Sequence, residues 1–299
     1  MEKRKYGNTN VYLSVVGFGG VIVMNKHDDV VFANESQEEA NRIVAKAIER
    51  GINYFDVAPA YGDAEERLGI ALEPYRDSVF LACKTTKRSK KEAEEELYQS
   101  LKRLRTDYFD LYQLHSVNTL EDVNKIFSEN GAIEAFIEAR EKGLVKYIGF
   151  SSHSEDTALV LLDRFKFDSV LFPINWVCWY QGNFGPRLVK KAVEKGVAIL
   201  AMKSLVKRRL KEGERKKWPK CPYVPVENFD EVVMAVRFAL SLPVTSAVGP
   251  AHAELLWLMC DAADIFHPLS EAEKREIEYK SKELEPMFPL QGPINWWSL

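Results

Sequence analysis

Four side chains that can give, take or stabilise protons lie near the ends of short apolar segments. Asp56 lies near the end of INYFDVA, and Tyr61 follows it after four intervening residues. Lys84 ends VFLACK, and His115 ends YFDLYQLH. A carboxylate, a phenol, an ammonium and an imidazole that meet at one point are suited to general acid–base chemistry. Because alternate residues of a strand share a face, Gln113 and His115 are expected to point the same way.

Each of these four residues also has an ordinary structural explanation. A single lysine at the end of a strand is usually solvated, and a single histidine is more often structural than catalytic. A tyrosine in a loop is usually a packing residue. Four such residues on three consecutive predicted strands favour a shared site instead, because parallel strands end at one edge of a sheet.

The segments that would position these residues are short, rich in β-branched and aromatic side chains, and bounded by turn or charged residues, which is typical of buried strands. The predicted strands cover residues 15–20, 52–58, 79–85, 108–116, 147–153, 169–175, 198–204 and 245–250. Between them, apolar residues at helical spacing predict amphipathic helices around positions 40–48, 93–104, 188–193 and 232–240. Gly51 and Gly196 are expected to end the first and third of these helices.

Alternation of strands and helices implies a parallel sheet with helical crossovers. Eight strands favour a closed (β/α)8 barrel over an open doubly wound sheet. An open dinucleotide-binding sheet should carry GxGxxG between its first strand and first helix. Here Gly17, Gly19 and Gly20 are followed by a long polar stretch over residues 25–36, which is the wrong spacing for that fingerprint.

The segment before the barrel predicts an extra element. Residues 3–6 and 11–15 flank the turn signal Gly7-Asn8 and predict a β-hairpin that covers the bottom of the barrel. The chain has no low-complexity linker. We therefore predict an α/β fold, a (β/α)8 TIM barrel with an N-terminal β-hairpin, in a single domain over residues 1–299.

At these motifs the chain resembles the aldo-keto reductase family. The matching segments are FDVAPAYGDAEERLG, the strand ending in Lys84, LYQLHS and YIGFSSH, and the likeness extends from RKYGNTNVYLSVVGFGG to TSAVGP. The resemblance implies a catalytic tetrad of Asp56, Tyr61, Lys84 and His115 in an oxidoreductase that transfers hydride to an aldehyde or ketone. It implies NADP(H) as cofactor, with NAD(H) as the alternative, and a small-molecule carbonyl compound as substrate.

The chemistry of the four side chains agrees with these implied roles. Hydride addition builds negative charge on the carbonyl oxygen, which then needs a proton. A free tyrosine has a pKa of about 10, so an adjacent Lys84 ammonium is expected to lower the pKa of Tyr61. Asp56 is expected to pair with Lys84 and offset the cost of a partly buried charge. His115 is expected to donate a hydrogen bond to the carbonyl oxygen and orient it.

The resemblance also implies that the dinucleotide lies extended across the barrel mouth. The residues implied to contact it are Gly20, Val21, Ser151, Ser152, Asn175, Met202, Lys203, Ser204, Leu205, Gly249 and His252. Three positions depart from the family pattern, since Ser152 stands where relatives often have Asn, Pro173 where Gln is usual, and Met202 where many have Tyr. A polarizable methionine can still pack on the nicotinamide ring.

A markedly basic segment, VKRRLKEGERKKWPK, follows the seventh predicted strand. It is either a solvated loop or a flap over the cofactor's phosphates that uses Lys207, Arg208 or Arg209. After the eighth strand, Gly249 precedes a predicted helix whose N-terminus suits a phosphate. That helix, AHAELLWLMC, lacks the Arg or Lys that many NADP-binding relatives have there, so the expectation of NADP(H) rests on the resemblance.

Two sets of aromatic residues lie outside the tetrad motifs. Trp176, Trp179 and Tyr180 follow the sixth predicted strand, and Trp296 and Trp297 lie in the tail. Either set could wall an apolar substrate pocket or pack elsewhere, against the barrel exterior or in a dimer contact. The sequence leaves both interpretations open.

Two other functions remain as alternatives. Lys84 or Lys203, both near strand ends, could form a Schiff base with a carbonyl substrate, as in an aldolase. That alternative leaves the spacing of Asp56 and Tyr61 unexplained and ranks below the reductase. Some relatives act mainly as cofactor-sensing subunits of channels, and the intact tetrad argues against a purely structural role.

Composition narrows the remaining classes. The net charge of -3 gives no reason to expect nucleic acid or an acidic membrane as partner. The four cysteines are scattered without CxxC spacing, which argues against a metal site or a disulfide framework. Reduced thiols then predict a cytoplasmic protein. No apolar stretch reaches the roughly 18–20 residues of a membrane span.

Overall fold

The parallel strands around the mouth of the predicted site close into a barrel. The computed structural model describes residues 1–28, 30–32 and 35–288. Over these residues the strands are β1 (Lys3–Lys5), β2 (Tyr12–Ser14), β3 (Val16–Gly19), β4 (Lys26–His27), β5 (Val30–Val31), β6 (Tyr54–Asp56), β7 (Phe80–Thr85), β8 (Phe109–Leu114), β9 (Val145–Ser151), β10 (Ser169–Pro173), β11 (Ala198–Met202), β12 (Val206–Arg208), β13 (Val224–Pro225) and β14 (Ser246–Val248). Strands β3, β6 to β11 and β14 follow one another in chain order around the closed barrel, so the predicted (β/α)8 TIM barrel is confirmed.

Helices cover the outside of the barrel. They are α1 (Gln37–Glu49), α2 (Ala64–Leu72), α3 (Lys90–Arg103), α4 (Leu120–Ile126), α5 (Ala132–Glu141), α6 (Glu155–Arg164), α7 (Trp176–Tyr180), α8 (Pro186–Lys195), α9 (Phe229–Leu240), α10 (Ala253–Asp264) and α11 (Glu271–Ser281). Several begin at a residue whose side chain accepts a hydrogen bond from the first turn, including Ser36 before α1 and Ser89 before α3. None of the helices in the described part of the chain is both long and apolar enough to cross a membrane.

The predicted strands and helices overlap the observed ones, with differences at their ends. The strand predicted over residues 147–153 is β9, Val145–Ser151. The sequence prediction ran too far there because His153 belongs to the loop that leaves the sheet. Gly196, predicted to end a helix, follows α8 with a left-handed backbone at φ 67°.

The predicted N-terminal hairpin is present and closes the bottom of the barrel. Strands β1 and β2 pair antiparallel, and Tyr6 and Leu13 between and within them are fully buried. The Tyr6 ring lies 5.2 Å from the ring of Phe80, the first residue of β7, and 5.3 Å from that of Tyr147. These contacts fill the end of the barrel opposite the strand ends, which leaves the C-terminal end for a site.

Candidate active site

A cleft of about 500 Å³ opens at the end of the barrel where the strands finish. Asp56 is the last residue of β6, Lys84 is the last but one of β7, and His115 follows β8 directly. Tyr61 comes from the loop after β6. All four side chains line the cleft, so the structure brings together the residues that the sequence motifs singled out.

Asp56 and Lys84 form a buried ion pair. Lys84 is fully buried and Asp56 is 3% exposed. The Lys84 amine also donates to the Val57 carbonyl at 3.3 Å. Burial by itself lowers the pKa of Lys84, but attraction to Asp56 and Tyr61 outweighs it, so this pKa is raised above its usual value. The ammonium therefore keeps its charge at neutral pH.

Tyr61 lies between the ammonium and the imidazole. The Lys84 amine is 5.1 Å from the centre of its ring, and the His115 ring lies nearly perpendicular to it at 5.8 Å. Burial raises the pKa of Tyr61, and the opposing effect of Lys84 is smaller. The lowering expected from Lys84 is present, but the net direction is upward because burial penalises a phenolate more. Tyr61 is therefore a neutral phenol that holds a proton.

His115 is held in place through its backbone and is neutral. Its N–H donates to the Thr85 carbonyl at 2.8 Å, and its carbonyl accepts from Arg88 at 2.8 Å. Burial lowers the pKa of His115 well below its usual value, and the cations Lys84 and Arg88 lower it further. The ring Nδ1 has no hydrogen-bond partner within the described ranges. A neutral imidazole carries one N–H, on either Nδ1 or Nε2.

The loop that carries Tyr61 is fixed by contacts with the start of β4 and the residue before it. Gly62 has a left-handed backbone at φ 55°, and a Cβ there would overlap the Lys26 carbonyl. The next residue, Asp63, accepts hydrogen bonds from the N–H groups of Asn25 at 2.9 Å and Lys26 at 3.3 Å. Only glycine fits after Tyr61, so the phenol's position is set by a close backbone contact.

Most of the residues implied to contact the dinucleotide also line the cleft. They are Val21, Ser151, Met202, Lys203, Ser204, Leu205 and Gly249. Lys203 has a left-handed backbone at φ 61°, a costly conformation that tends to occur at functional sites. Burial lowers the pKa of Lys203 to about 8. The Ser204 hydroxyl is buried and has no hydrogen-bond partner in the part of the chain that is described.

Four of the implied residues do not line the cleft. Gly20 packs against Val57. The Ser152 hydroxyl donates to the Val117 carbonyl at 2.7 Å, and the Asn175 side chain caps α7 by accepting from Cys178 at 2.9 Å. His252 lines a separate cavity of about 520 Å³ between α1 and α10.

Several lining residues were not singled out from the sequence. They include His27, Thr86, Asn118, His153, Lys216, Lys220, Tyr223 and Met287. The strand predicted over residues 147–153 was a usable signal for His153, because alternation in that prediction puts it on the same side as Ser151, although the observed strand ends at Ser151. His27 lies in the two-residue strand β4, which is too short to show a periodicity, and the other six come from loops.

The basic segment forms a strap over one side of the cleft, which we define as residues 206–225. Its ends pair as β12 and β13. Lys216 and Lys220 line the cleft, whereas the three residues proposed from the sequence do not. Lys207 pairs with Glu231, Arg208 pairs with Glu214, and Arg209 donates to the Met287 carbonyl at 2.7 Å.

Lys220 anchors the strap. Its backbone N–H donates to the His252 ring at 3.2 Å, and its amine donates to the Ile22 carbonyl at 2.8 Å. The strap is thereby tied to the segments after β3 and β14. Lys216 and Lys220 in the C-terminal part of the strap thus lie at the cleft. Ion pairs hold Lys207 and Arg208 instead, and the hydrogen bond to a carbonyl holds Arg209.

The aromatic residues after β10 pack away from the cleft. The rings of Trp179 and Tyr180 lie 5.9 Å and 5.7 Å from the ring of Phe238 on α9. These rings therefore pack on the outside of the barrel and do not wall the cleft. Trp296 and Trp297 lie outside the described residues.

The charges lining the cleft favour an anionic ligand. Asp56 is the one carboxylate among the described lining residues, and Lys84 matches its charge. Lys203, Lys216 and Lys220 add basic groups. A cleft of one sign of charge with low-dielectric walls concentrates ligands of the opposite sign, such as a pyrophosphate. Within the described ranges, no group of three or more His, Cys, Asp or Glu could hold a metal ion.

Known proteins resemble this chain in sequence and in fold. A model of the Aldo/keto reductase family matches residues 16–272. The uncharacterized oxidoreductase YqkF of Bacillus subtilis is 36% identical over 166 residues, 51% of this chain and 49% of that protein. The L-galactose dehydrogenase of Arabidopsis thaliana is 28% identical over 231 residues, 73% of this chain and 70% of that protein. The match therefore spans about half the length of YqkF.

Solved structures of aldo-keto reductases match this chain over almost its whole length. The holo form of the aldo-keto reductase AKR11C1 from Bacillus halodurans aligns with a TM-score of 0.71 at 26% identity, covering 94% of this chain and 96% of that one. A thermostable aldo-keto reductase, Tm1743, solved in complex with the inhibitor epalrestat, aligns with a TM-score of 0.68 at 20% identity over 93% of this chain and 99% of that one. The second likeness concerns the fold alone.

Proposed function

Because this chain belongs to the aldo/keto reductase family, we propose that it reduces an aldehyde or ketone to an alcohol with NADPH, using Tyr61 as the general acid. The family implies nicotinamide-dependent carbonyl reduction. The assignment of Tyr61, the preference for NADPH and the class of substrate are our proposals.

One observation carries the proposal. A neutral, proton-bearing Tyr61 shares a cleft with Lys84, whose pKa is raised and whose amine lies 5.1 Å from the centre of the phenol ring. A phenol is a weak acid near neutrality, so it gives up a proton readily only where a fixed cation stabilises the phenolate that forms. Lys84 is such a cation because Asp56 holds it.

The side chains then have distinct tasks. A bound nicotinamide supplies the hydride. Tyr61 gives its proton to the carbonyl oxygen as negative charge develops there. Lys84 stabilises the phenolate, and Asp56 keeps the ammonium in place. The neutral His115 donates a hydrogen bond to the same oxygen and orients the carbonyl group.

The described residues fit a dinucleotide. Ser204 lines the cleft, and its buried hydroxyl has no partner among the described residues, as a group that binds a phosphate oxygen would. Lys203, Lys216 and Lys220 would pair with the phosphates. The strap lysines support NADPH over NADH, because a 2′-phosphate adds negative charge that they can meet. A fluorescence titration that compares the two cofactors tests this preference.

Substitution of Tyr61→Phe tests the assignment of the acid. The variant should lose most reductase activity and bind NADPH with an unchanged Kd, since the phenol hydroxyl is needed for proton transfer only. Activity is measured by NADPH oxidation with a panel of aldehydes and ketones, and in reverse with L-galactose, the sugar in the name of one relative. Turnover equal to that of the wild type would contradict the proposal. An inactive wild-type protein that binds NADPH would favour a cofactor-sensing subunit.

A Schiff-base enzyme is a second candidate because of Lys203. Its pKa of about 8 leaves part of the amine neutral and nucleophilic near neutral pH. Lys84 does not suit this chemistry, because its pairing with Asp56 raises its pKa. Borohydride trapping followed by mass spectrometry would place a substrate adduct on Lys203 if this alternative were correct, and no adduct if the protein is a reductase.

A further inference from the structure

The interior of the barrel directly beneath Asp56 is polar. Tyr54 on β6 and Gln113 on β8 are fully buried there, and neither lines the cleft. Branched aliphatic side chains usually fill the interior layers of such barrels. A buried amide costs free energy unless it is hydrogen-bonded. At this depth the Gln113 amide therefore needs a hydrogen-bond partner inside the barrel.

That partner is the Asp56 carboxylate. Its Oδ2 accepts from the Gln113 amide nitrogen at 2.8 Å and from the Tyr54 hydroxyl at 3.0 Å, and its Oδ1 pairs with Lys84. The amide orientation follows from chemistry, because the opposite one would set a carbonyl oxygen against a carboxylate. Gln113 Oε1, which points away, is buried without a hydrogen-bond partner among the residues described.

The neighbouring strands supply few other groups to this carboxylate. Strand β3 presents Gly17 and Gly19 on its inner side, and β9 presents Gly149 beside Gln113. A Cβ on Gly17 would lie 2.5 Å from the Tyr54 ring, so the glycine makes room for that phenol. The titratable groups that act on Asp56 and its ion pair are Tyr54 on β6, Cys83 and Lys84 on β7, Tyr61 from the loop after β6 and His115 at the end of β8.

We propose that Gln113 is a positioning residue of the acid–base centre, whose amide fixes the Asp56 carboxylate and through it the Lys84 ammonium beside Tyr61. The inference rests on the proposed function of this site. Lys84 and Gln113 lie side by side in adjacent strands, so the amide and the ammonium hold the carboxylate from neighbouring positions. A carboxylate free to turn would carry the ammonium away from the phenol, and a misplacement of about 1 Å can cost about a hundredfold in rate.

The isosteric substitution Gln113→Glu tests this role through pH. A protonated carboxyl can donate to Asp56 as the amide does, whereas an ionised one repels Asp56. Burial and repulsion by Asp56 raise the pKa of the introduced carboxyl, against the attraction of Lys84. The variant should keep near wild-type kcat at low pH and lose at least about tenfold as the carboxyl ionises, over a range where the wild type is unchanged.

Three further measurements make the result decisive. The Kd for NADPH should be unchanged in the variant, because Gln113 does not line the cleft. Gln181→Glu is the matched control, since Gln181 donates to Ser281 on the outside of the barrel at 2.8 Å and should show the wild-type pH profile. Tyr54→Phe, which removes the other neutral donor to Asp56, should lower kcat without adding a pH dependence.

The possible outcomes separate the inference from the proposed function. A wild type without reductase activity overturns the function itself. An active wild type and a Gln113→Glu variant that loses kcat equally at all pH values, or loses none, overturns the positioning role. If Gln113→Glu does not fold, the Gln113→Met variant tests the positioning role instead. A displaced Lys84 lowers the pKa of Tyr61 less, so the high-pH limb of the kcat/KM profile should shift to higher pH in this variant. A limb at the wild-type pH overturns the role.

Discussion

The buried pair of Asp56 and Lys84 makes Asp56→Asn the most informative stability variant. Lys84 is fully buried and Asp56 is 3% exposed, so the amide would leave an ammonium in the barrel without a counter-charge. Removing one partner of a buried pair typically costs about 3–5 kcal/mol. We expect the free energy of unfolding at neutral pH to fall by about that amount, because the desolvation of Lys84 is no longer offset.

The sign of the pH dependence follows from the pKa of Lys84. In the wild type the pKa of folded Lys84 is raised. The contribution of the ion pair to the free energy of unfolding is therefore fully present below the unfolded-state pKa of about 10.4. It is lost as pH rises through the folded-state pKa. In Asp56→Asn the attraction of Asp56 is gone, and we expect burial to lower the pKa of Lys84 against the smaller remaining attraction of Tyr61. Its destabilisation is then greatest at neutral pH and is relieved as pH approaches about 10.4. The difference in stability between the two proteins should narrow as pH rises.

Urea unfolding followed by far-UV circular dichroism, at several pH values, measures both effects. Lys84→Met and the double variant complete a double-mutant cycle, in which the double variant should be less destabilised than the sum of the two single variants. Glu121→Gln, which removes the partner of exposed Lys125, is the control and should change little. An Asp56→Asn variant within about 1 kcal/mol of the wild type, or a gap that does not narrow with pH, would refute the reasoning.

Two further predictions concern the loop of Tyr61 and the strap. Gly62→Ala should lower the free energy of unfolding by at least about 1–2 kcal/mol, the cost of a left-handed backbone at a residue with a Cβ, and should lower kcat, because the overlap with the Lys26 carbonyl displaces the loop. Thermal unfolding and steady-state kinetics check it, and wild-type values in both would contradict it. Lys220→Met should weaken NADPH binding at least severalfold in a fluorescence titration, because Lys220 lines the cleft. Lys217→Met is the control and should bind NADPH like the wild type, because Lys217 pairs with Glu227. Equal Kd values for the two variants would count against a role for the strap in cofactor binding.

Local patterns in the sequence were enough to predict the barrel and the convergence of four side chains. Strands and helices are set by periodicity over a few residues, and alternation along a strand tells which residues share a face. Because the strands are parallel, their C-terminal ends meet at one end of the barrel. Lys84 and His115 therefore lie at the same end as Asp56. The same alternation explains why Ser151 lines the cleft and its neighbour Ser152 instead bonds to the Val117 carbonyl.

What only the tertiary structure decided concerns groups whose partners are distant in the chain. Periodicity says nothing about which strap lysines turn inward, because Lys207 turns toward a carboxylate on α9 and Lys220 toward the carbonyl after β3. Likewise, the sequence placed Gln113 on the same side of its strand as His115. Its hydrogen bond to Asp56, 57 residues away in the chain, depends on how the strands align in the barrel. The direction of the Tyr61 pKa shift also required the fold, since burial, a sum over all surrounding atoms, outweighs the lowering effect of Lys84 that the sequence revealed.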